Sequence, residues 1–125
     1  MLFRSPNVTW LGSVARNDLP ALYKRASCLL CTSIYEGFPN TFLEAWSLGK
    51  PVVTTFDPDQ LVRSLGLGAV GANADDLAAK LAALLSDESA WNTASVKARR
   101  YFAENHRVEV AMPRFETLFQ ETCQP

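Results

Sequence analysis

The sequence predicts an α/β fold: about four parallel strands with helices on both faces, followed by a helical C-terminal third. Three observations carry this prediction. Short β-prone runs alternate with amphipathic stretches as far as Val70. The links between them are short and marked by Gly, Pro and Asn, which suits right-handed strand–helix–strand units. Beyond that point the β-prone runs stop, and leucines and aromatics recur at helical spacing.

The elements follow in chain order. Val8-Thr9-Trp10-Leu11 reads as a first strand closed by Gly12. Asn17 or Asp18 caps a helix that holds Pro20 in its first turn and turns Leu19, Leu22, Tyr23 and Ala26 to one side. Cys28 to Thr32 is a strand, and Ser33 to Pro39 a loop containing Gly37. A helix from Asn40 to Leu48 carries apolar Phe42, Leu43, Ala45 and Trp46, and stops at Gly49. Pro51 to Thr55 is the third strand, Pro58 to Leu65 a short helix before Gly66, and Leu67 to Val70 a weak fourth strand. Three apolar stripes complete the chain: Leu77, Leu81, Leu84 and Leu85; then Trp91, Ala94, Ala98 and Phe102; then Phe115, Leu118 and Phe119, with Pro113 as a start or kink. Asp75 and Asp76 suit the positive end of the first of these helices. Trp10, Trp46 and Trp91 fall on apolar faces and read as core. With no repeat and no linker, residues 1–125 read as a single domain.

Composition narrows the class. The chain has 125 residues, 48% of them apolar and 20% charged, with a formal net charge of −1. That balance argues against disorder. Surface scaling for a chain of 13.8 kDa predicts burial of about two-thirds of the unfolded surface, enough for one core. A pI near 5.8 gives no electrostatic footprint for nucleic acid. No apolar run approaches the roughly 18 residues of a transmembrane segment. The start, Met1 to Pro6, has no basic region followed by an apolar stretch, so no signal peptide is expected. Three cysteines do not suggest a disulfide framework. Cys28 and Cys31 have CxxC spacing, but on a strand they point to opposite faces and read as small buried hydrophobes. Cys123 reads as a free thiol. A reducing, cytoplasmic setting is expected.

The chemistry concentrates in Tyr35-Glu36-Gly37-Phe38-Pro39-Asn40-Thr41-Phe42-Leu43-Glu44-Ala45. Glu36 lies in the loop after a strand, and Glu44 one turn or so inside the next helix. Between them the helix start at Asn40 and Thr41 presents free backbone N–H groups, a ready anion site. In open parallel sheets ligands bind beyond the carboxyl ends of the strands. One diphosphate site with a carboxylate on either side results, and carboxylates accept paired hydrogen bonds from vicinal hydroxyls. A glycosidase pair sits about 5–9.5 Å apart. Eight residues, partly helical, separate these two by roughly 10 Å or more, a span for a long ligand.

This segment resembles the E-x7-E motif of the family 4 (group 1) retaining glycosyltransferases with GT-B fold, here Glu36-Gly-Phe-Pro-Asn-Thr-Phe-Leu-Glu44. The context is similar too: Val8-Thr-Trp-Leu-Gly12 and Leu19-Pro-Ala-Leu-Tyr23 before it, Ala45-Trp-Ser-Leu-Gly49 and Lys50-Pro-Val-Val53 after it, and Leu77 to Leu85 further on. The resemblance implies a partial Rossmann-like domain, the C-terminal, donor-binding portion of such an enzyme. It implies that Glu36 contacts donor-sugar hydroxyls near the reacting centre and serves as the catalytic position. Gly37, Phe38, Pro39, Asn40 and Thr41 then line diphosphate and sugar, and Glu44 binds the ribose. Gly12, Ser13 and Val14 border the nucleobase. The donor is a nucleotide-diphosphate sugar, transferred with retention. No further cofactor and no metal are implied, because the helix end and basic side chains stabilise the leaving diphosphate.

The resemblance also implies what lies outside this chain: the N-terminal acceptor domain and the Arg and Lys that clamp the donor diphosphate. Arg16 and Lys24 are poor substitutes by position. Phe56-Asp-Pro-Asp59 stands where many relatives carry a Gly-rich turn with a Glu, and Asp57 reads as a helix cap. The isolated chain is therefore expected to be a glycosyltransferase fragment, inactive alone. The alternative is a non-catalytic nucleotide-sugar-binding module or a subunit of a split transferase. A sheet without its first strands exposes an edge, and a homodimer through that edge is one expectation. A phospho-acceptor receiver domain shares the length and alternation. It needs acidic residues where Gly12-Ser13 and Ser33 stand. His106 reads as a surface residue, and Lys97, Arg99, Arg100 and Arg107 as a solvated face.

Overall fold

The computed structural model describes residues 5–123. Three short strands, β1 (Leu29–Cys31), β2 (Val52–Thr54) and β3 (Gly68–Val70), form a parallel sheet in the order β1-β2-β3. Leu29 pairs with Val52 and Val52 with Gly68, and the register continues in step. Six α-helices accompany them: α1 (Leu19–Arg25), α2 (Asn40–Ser47), α3 (Leu61–Leu65), α4 (Ala74–Ser86), α5 (Glu88–Asn105) and α6 (Val108–Thr122). A 3-10 turn at Pro58–Gln60 leads into α3.

Strand β2 is central and buried on both faces, as its unbroken Val-Val-Thr demands. Its alternation divides the core into two layers. Val52 packs with Phe42, Ala45 and Trp46 of α2, Val62 of α3 and Ala98 of α5. Val53 packs on the other side with Leu77 and Leu84 of α4 and Ala94 of α5. Cys31 borders the first layer and Cys28 the second, as opposite-facing strand positions should. Both cysteines are free and half-buried. Gly68 meets the close approach of β2: a Cβ there would stand 1.9 Å from the Val52 carbonyl oxygen.

Helix α5 serves both layers because it crosses the molecule at the amino ends of the strands. Trp91 Nε1 donates to the Ser27 carbonyl, just before β1, at 2.7 Å. A Cβ on Gly49, just before β2, would come within 3.0 Å of Ser95 and 3.1 Å of Arg99. Beyond this crossing α5 runs back along α2, and Tyr101 meets Trp46 edge-to-face at 5.4 Å.

Most helix ends follow the sequence. Asn73 Oδ1 accepts from the Asp76 N–H at 3.0 Å, and Asp87 Oδ1 from the Ala90 N–H at 2.9 Å. Asp18 does stand at the cap of α1, but its side chain makes no capping bond. Asp57 caps α3 from a distance, accepting from the Val62 N–H at 2.8 Å. Pro113 lies inside α6.

Three expectations are corrected. The strand at Val8–Leu11 does not form: the segment joins no ladder, and Val8, Trp10 and Leu11 are exposed. A strand exists only through its neighbour, and no described strand lies beside this one, so β-propensity alone does not fold it. Trp10 is therefore 84% exposed and not core, whereas Trp46 is fully buried. The stripe of α6 is also left uncovered, with Phe115, Leu118 and Phe119 all exposed. These surfaces raise the accessible area to 9193 Å², against about 6,600 Å² for a compact monomer of this mass. Little more than half of the roughly 20,000 Å² of the unfolded chain is hidden, less than the two-thirds expected.

Candidate functional site

The chemistry-bearing segment leaves the carboxyl end of β1. The loop at residues 33–39 is tied to the end of β2, where Thr55 Oγ1 donates to the Ser33 carbonyl at 2.8 Å and the Thr55 N–H to the Cys31 carbonyl at 3.1 Å. Thr54, fully buried, folds its hydroxyl back on Phe56, accepting from its N–H and donating to its carbonyl, both at 2.9 Å. The exits of the two strands are thus fixed to each other.

Helix α2 begins after Pro39, which is extended and buried at the N-cap and offers no side-chain acceptor. The N–H groups of Asn40 and Thr41 have no intrahelical partner by construction, and both residues are exposed. Phe42 and Trp46 drive the opposite side of α2 into the core. That burial sets the rotation of the helix and places Glu44 on its half-buried flank. The Tyr23 hydroxyl, from α1, donates to Glu44 Oε2 at 3.0 Å. Burial, this bond and the charge of Glu44 push the Tyr23 phenol up to about 12. It therefore stays protonated, and stays a donor, across the physiological range. Ser47 Oγ adds a bond to the Glu44 carbonyl at 2.7 Å.

Beside Glu44 lies a hollow of about 260 Å³, walled by Arg16, Leu19, Pro20, Tyr23, Ser47 and Leu48. It combines one carboxylate, one cation and an apolar floor. Glu36 has a different setting. It is exposed, and among the described residues no hydrogen bond is made by residues 34–38. Only Phe38 packs, meeting Trp46 at 6.4 Å and His106 at 5.9 Å between ring centres while staying 39% exposed.

The structure brings Asn40, Thr41 and Glu44 onto one short helix, with Glu36, Gly37, Phe38 and Pro39 in the loop that feeds it. Gly12, Ser13 and Val14 do not line the hollow. Gly12 takes a left-handed φ of 65° in the segment that failed to form a strand. Lys24 lies at the end of α1, where its carbonyl accepts from Lys50 Nζ. Arg16 does line the hollow. No group of three or more His, Cys, Asp and Glu side chains suited to a metal occurs among the described residues. No described helix is long and apolar enough to cross a membrane.

Two contributors escape a reading by residue type. Tyr23 belongs to an apolar stripe, and nothing local shows that its hydroxyl reaches a carboxylate 21 residues away. The hint was a phenol among leucines, since a buried Tyr usually finds a partner. His106 is not a free surface residue. It is half-buried against Phe38, Tyr101 and Phe102, and its Nε2 lies 3.2 Å from the Tyr101 hydroxyl. Burial and the Arg114 charge hold its imidazole below its usual value.

The sequence model described as "Glycosyl transferases group 1" matches residues 2–108. The chain belongs to the group 1 glycosyltransferases. This glycosyltransferase chain is 37% identical over 84 residues to the O-antigen chain mannosyltransferase B of Escherichia coli, covering 66% of this chain and 22% of that protein. It is also 37% identical over 86 residues to the N,N'-diacetylbacillosaminyl-diphospho-undecaprenol alpha-1,3-N-acetylgalactosaminyltransferase of Campylobacter jejuni, covering 65% of this chain and 22% of that one. The matches thus span about a fifth of the length of these curated relatives. No solved structure matches the chain.

Proposed function

We propose that this chain is the donor-binding portion of a retaining glycosyltransferase of GT-B fold and holds a nucleotide-diphosphate sugar. The observation that carries the reading is the Tyr23–Glu44 bond at 3.0 Å beside the hollow. It leaves one face of the Glu44 carboxylate to accept vicinal hydroxyls, as a ribose offers. The uncapped start of α2 then receives the diphosphate through the N–H groups of Asn40 and Thr41. Glu36 faces the sugar from the loop, in the catalytic position. As the bond to the sugar breaks, charge grows on the diphosphate, where the fixed helix N–H groups stabilise it. In this reading the chain needs no resident metal. Mannosyl and N-acetylgalactosaminyl transfer by the relatives make a hexose or hexosamine the first class of donor to test.

A basic diphosphate clamp and an acceptor domain belong to the same reading, supplied from outside these residues. Arg16 adds one cation at the hollow. A polypeptide that completes the sheet would pair with the open edge of β1, which among the described residues has a neighbour on one side only and leaves Leu30 half exposed. That edge equally suits a homodimer or the subunit of a split enzyme, and a cytoplasmic location goes with either.

Calorimetric titration of the chain with uridine, guanosine and adenosine diphosphate sugars tests the site. Weak binding of one class is expected, with at least a tenfold loss in Glu44→Ala. No binding by any donor, or binding untouched by Glu44→Ala, would overturn the assignment. Robust sugar transfer by the isolated chain would refute its incompleteness.

A further inference from the structure

We propose that His106 is a positioning residue for the loop that carries Glu36, acting through the ring of Phe38. Its link to sugar transfer rests on the donor-site reading, but the clamp itself does not.

The loop has fixed ends and a free middle. Thr55 holds Ser33, and the Phe42 N–H donates to the Pro39 carbonyl at 3.0 Å. Between them Ile34 and Tyr35 are 76% and 91% exposed, and Glu36 and Gly37 are exposed too. With no hydrogen bond from residues 34 to 38, the position of Glu36 depends on the single side chain that packs, Phe38. Glycine follows Glu36 directly, so its neighbour on that side adds no stiffness.

Phe38 closes an aromatic box whose other walls come from far along the chain. Trp46 of α2 meets it edge-on at an interplanar angle of 70°. His106 lies across it at 35°. His106 is in turn stacked on Phe102 at 27° and held by Tyr101, whose hydroxyl is 3.2 Å from Nε2. Asn105 Nδ2 donates to the Tyr101 carbonyl at 3.0 Å, closing the end of α5. Because α5 crosses beneath the strands and then runs back along α2, its last turn arrives beside the start of α2. A residue 70 positions away in sequence thereby becomes the outer wall of the Glu36 loop. Neutral imidazole suits this place. The charged or titratable groups that face it are Tyr101 of α5, Arg114 of α6 and, through Tyr101, Asp59. A proton on the ring would add a second cation next to Arg114 and replace an apolar stack with a solvated ion.

The test measures the loop directly and needs no ligand. Backbone 15N order parameters of the 125-residue chain are compared at pH 8 for wild type, His106→Ala and His106→Phe. Wild type is expected to be near the rigid range of about 0.85 at Glu36 and Gly37, and His106→Ala to fall toward about 0.6. His106→Phe, which keeps the stack, is expected to restore the wild-type value. Lowering the pH to 5 should loosen the loop in wild type and leave His106→Phe unchanged. Unchanged values in His106→Ala, with β2 amides still protected, would overturn the proposal, as would failure of His106→Phe to restore them. If His106→Ala does not fold, Phe38→Ala replaces it: the loop should loosen, and its rigidity retained without that ring would equally overturn the clamp. Should the order parameters respond as expected while no nucleotide sugar binds, the clamp stands and the donor-site reading falls.

Discussion

Glu36 and Glu44 are alike in sequence, eight positions apart in one motif, yet the fold treats them differently. Glu44 rides on a helix whose far side buries Phe42 and Trp46 completely, and a phenol from α1 holds one of its oxygens. Glu36 sits in a loop whose middle makes no hydrogen bond and leans on one aromatic ring. The difference suits their proposed tasks. A group that grips an unchanging ribose gains from being fixed before binding. The group that meets the reacting sugar is instead positioned by packing, through the Phe38 ring against Trp46 and His106. Preorganisation is thus graded within one short segment.

The largest effect should come from removing what both carboxylates share. Trp46→Ala empties the centre of the α2 layer and one wall of the Phe38 box. A loss of about 3–5 kcal/mol in chemical unfolding is expected. A loss below about 1 kcal/mol would mean that α2 is not anchored by Trp46. Next, Thr55→Val unties only the foot of the Glu36 loop, leaving the Ser33 carbonyl unmatched, and should cost about 1–2 kcal/mol. Calorimetry should show little change in the nucleotide half of the donor, measured with a nucleoside diphosphate alone. Tyr23→Phe is the mirror experiment. It should leave the loop alone and weaken nucleoside diphosphate binding by about 0.5–1.5 kcal/mol, roughly two- to tenfold. If Thr55→Val and Tyr23→Phe affect the same measurement equally, the two carboxylates are not separately supported.

The smallest effect is on pH. The His106 imidazole is held below its usual value of 6.5, so the unfolded chain takes up a proton before the folded one. Stability should therefore be flat above about 6.5 and decline as the pH falls through the folded value. Thermal melts between pH 8 and 5 should show that decline in wild type and lose it in His106→Phe. A rise in stability on acidification would reverse the sign and remove His106 from the box.

Much of this was legible along the chain because it depends on near neighbours. Helices α1, α2 and α4 and three of the expected strands stand within a residue or two of their forecast positions, set by Gly49, Gly66 and apolar periodicity, whereas α6 already begins at Val108, with Pro113 in its interior. The carboxylates and the helix start between them were legible for the same reason. Trp10 and the Val8–Leu11 strand were misread, because strand formation depends on a partner that local pattern does not contain.

By itself, then, the sequence determined the order of the elements from α1 onward and carried the match to the group 1 glycosyltransferases. Tertiary structure alone decided that Tyr23 holds Glu44 and that His106 walls the Glu36 loop. Periodicity records which face of a helix is apolar. It does not record which distant hydroxyl or ring that face will meet, because the meeting is set by how α1 and α5 pack against α2, and packing is a property of the whole chain at once.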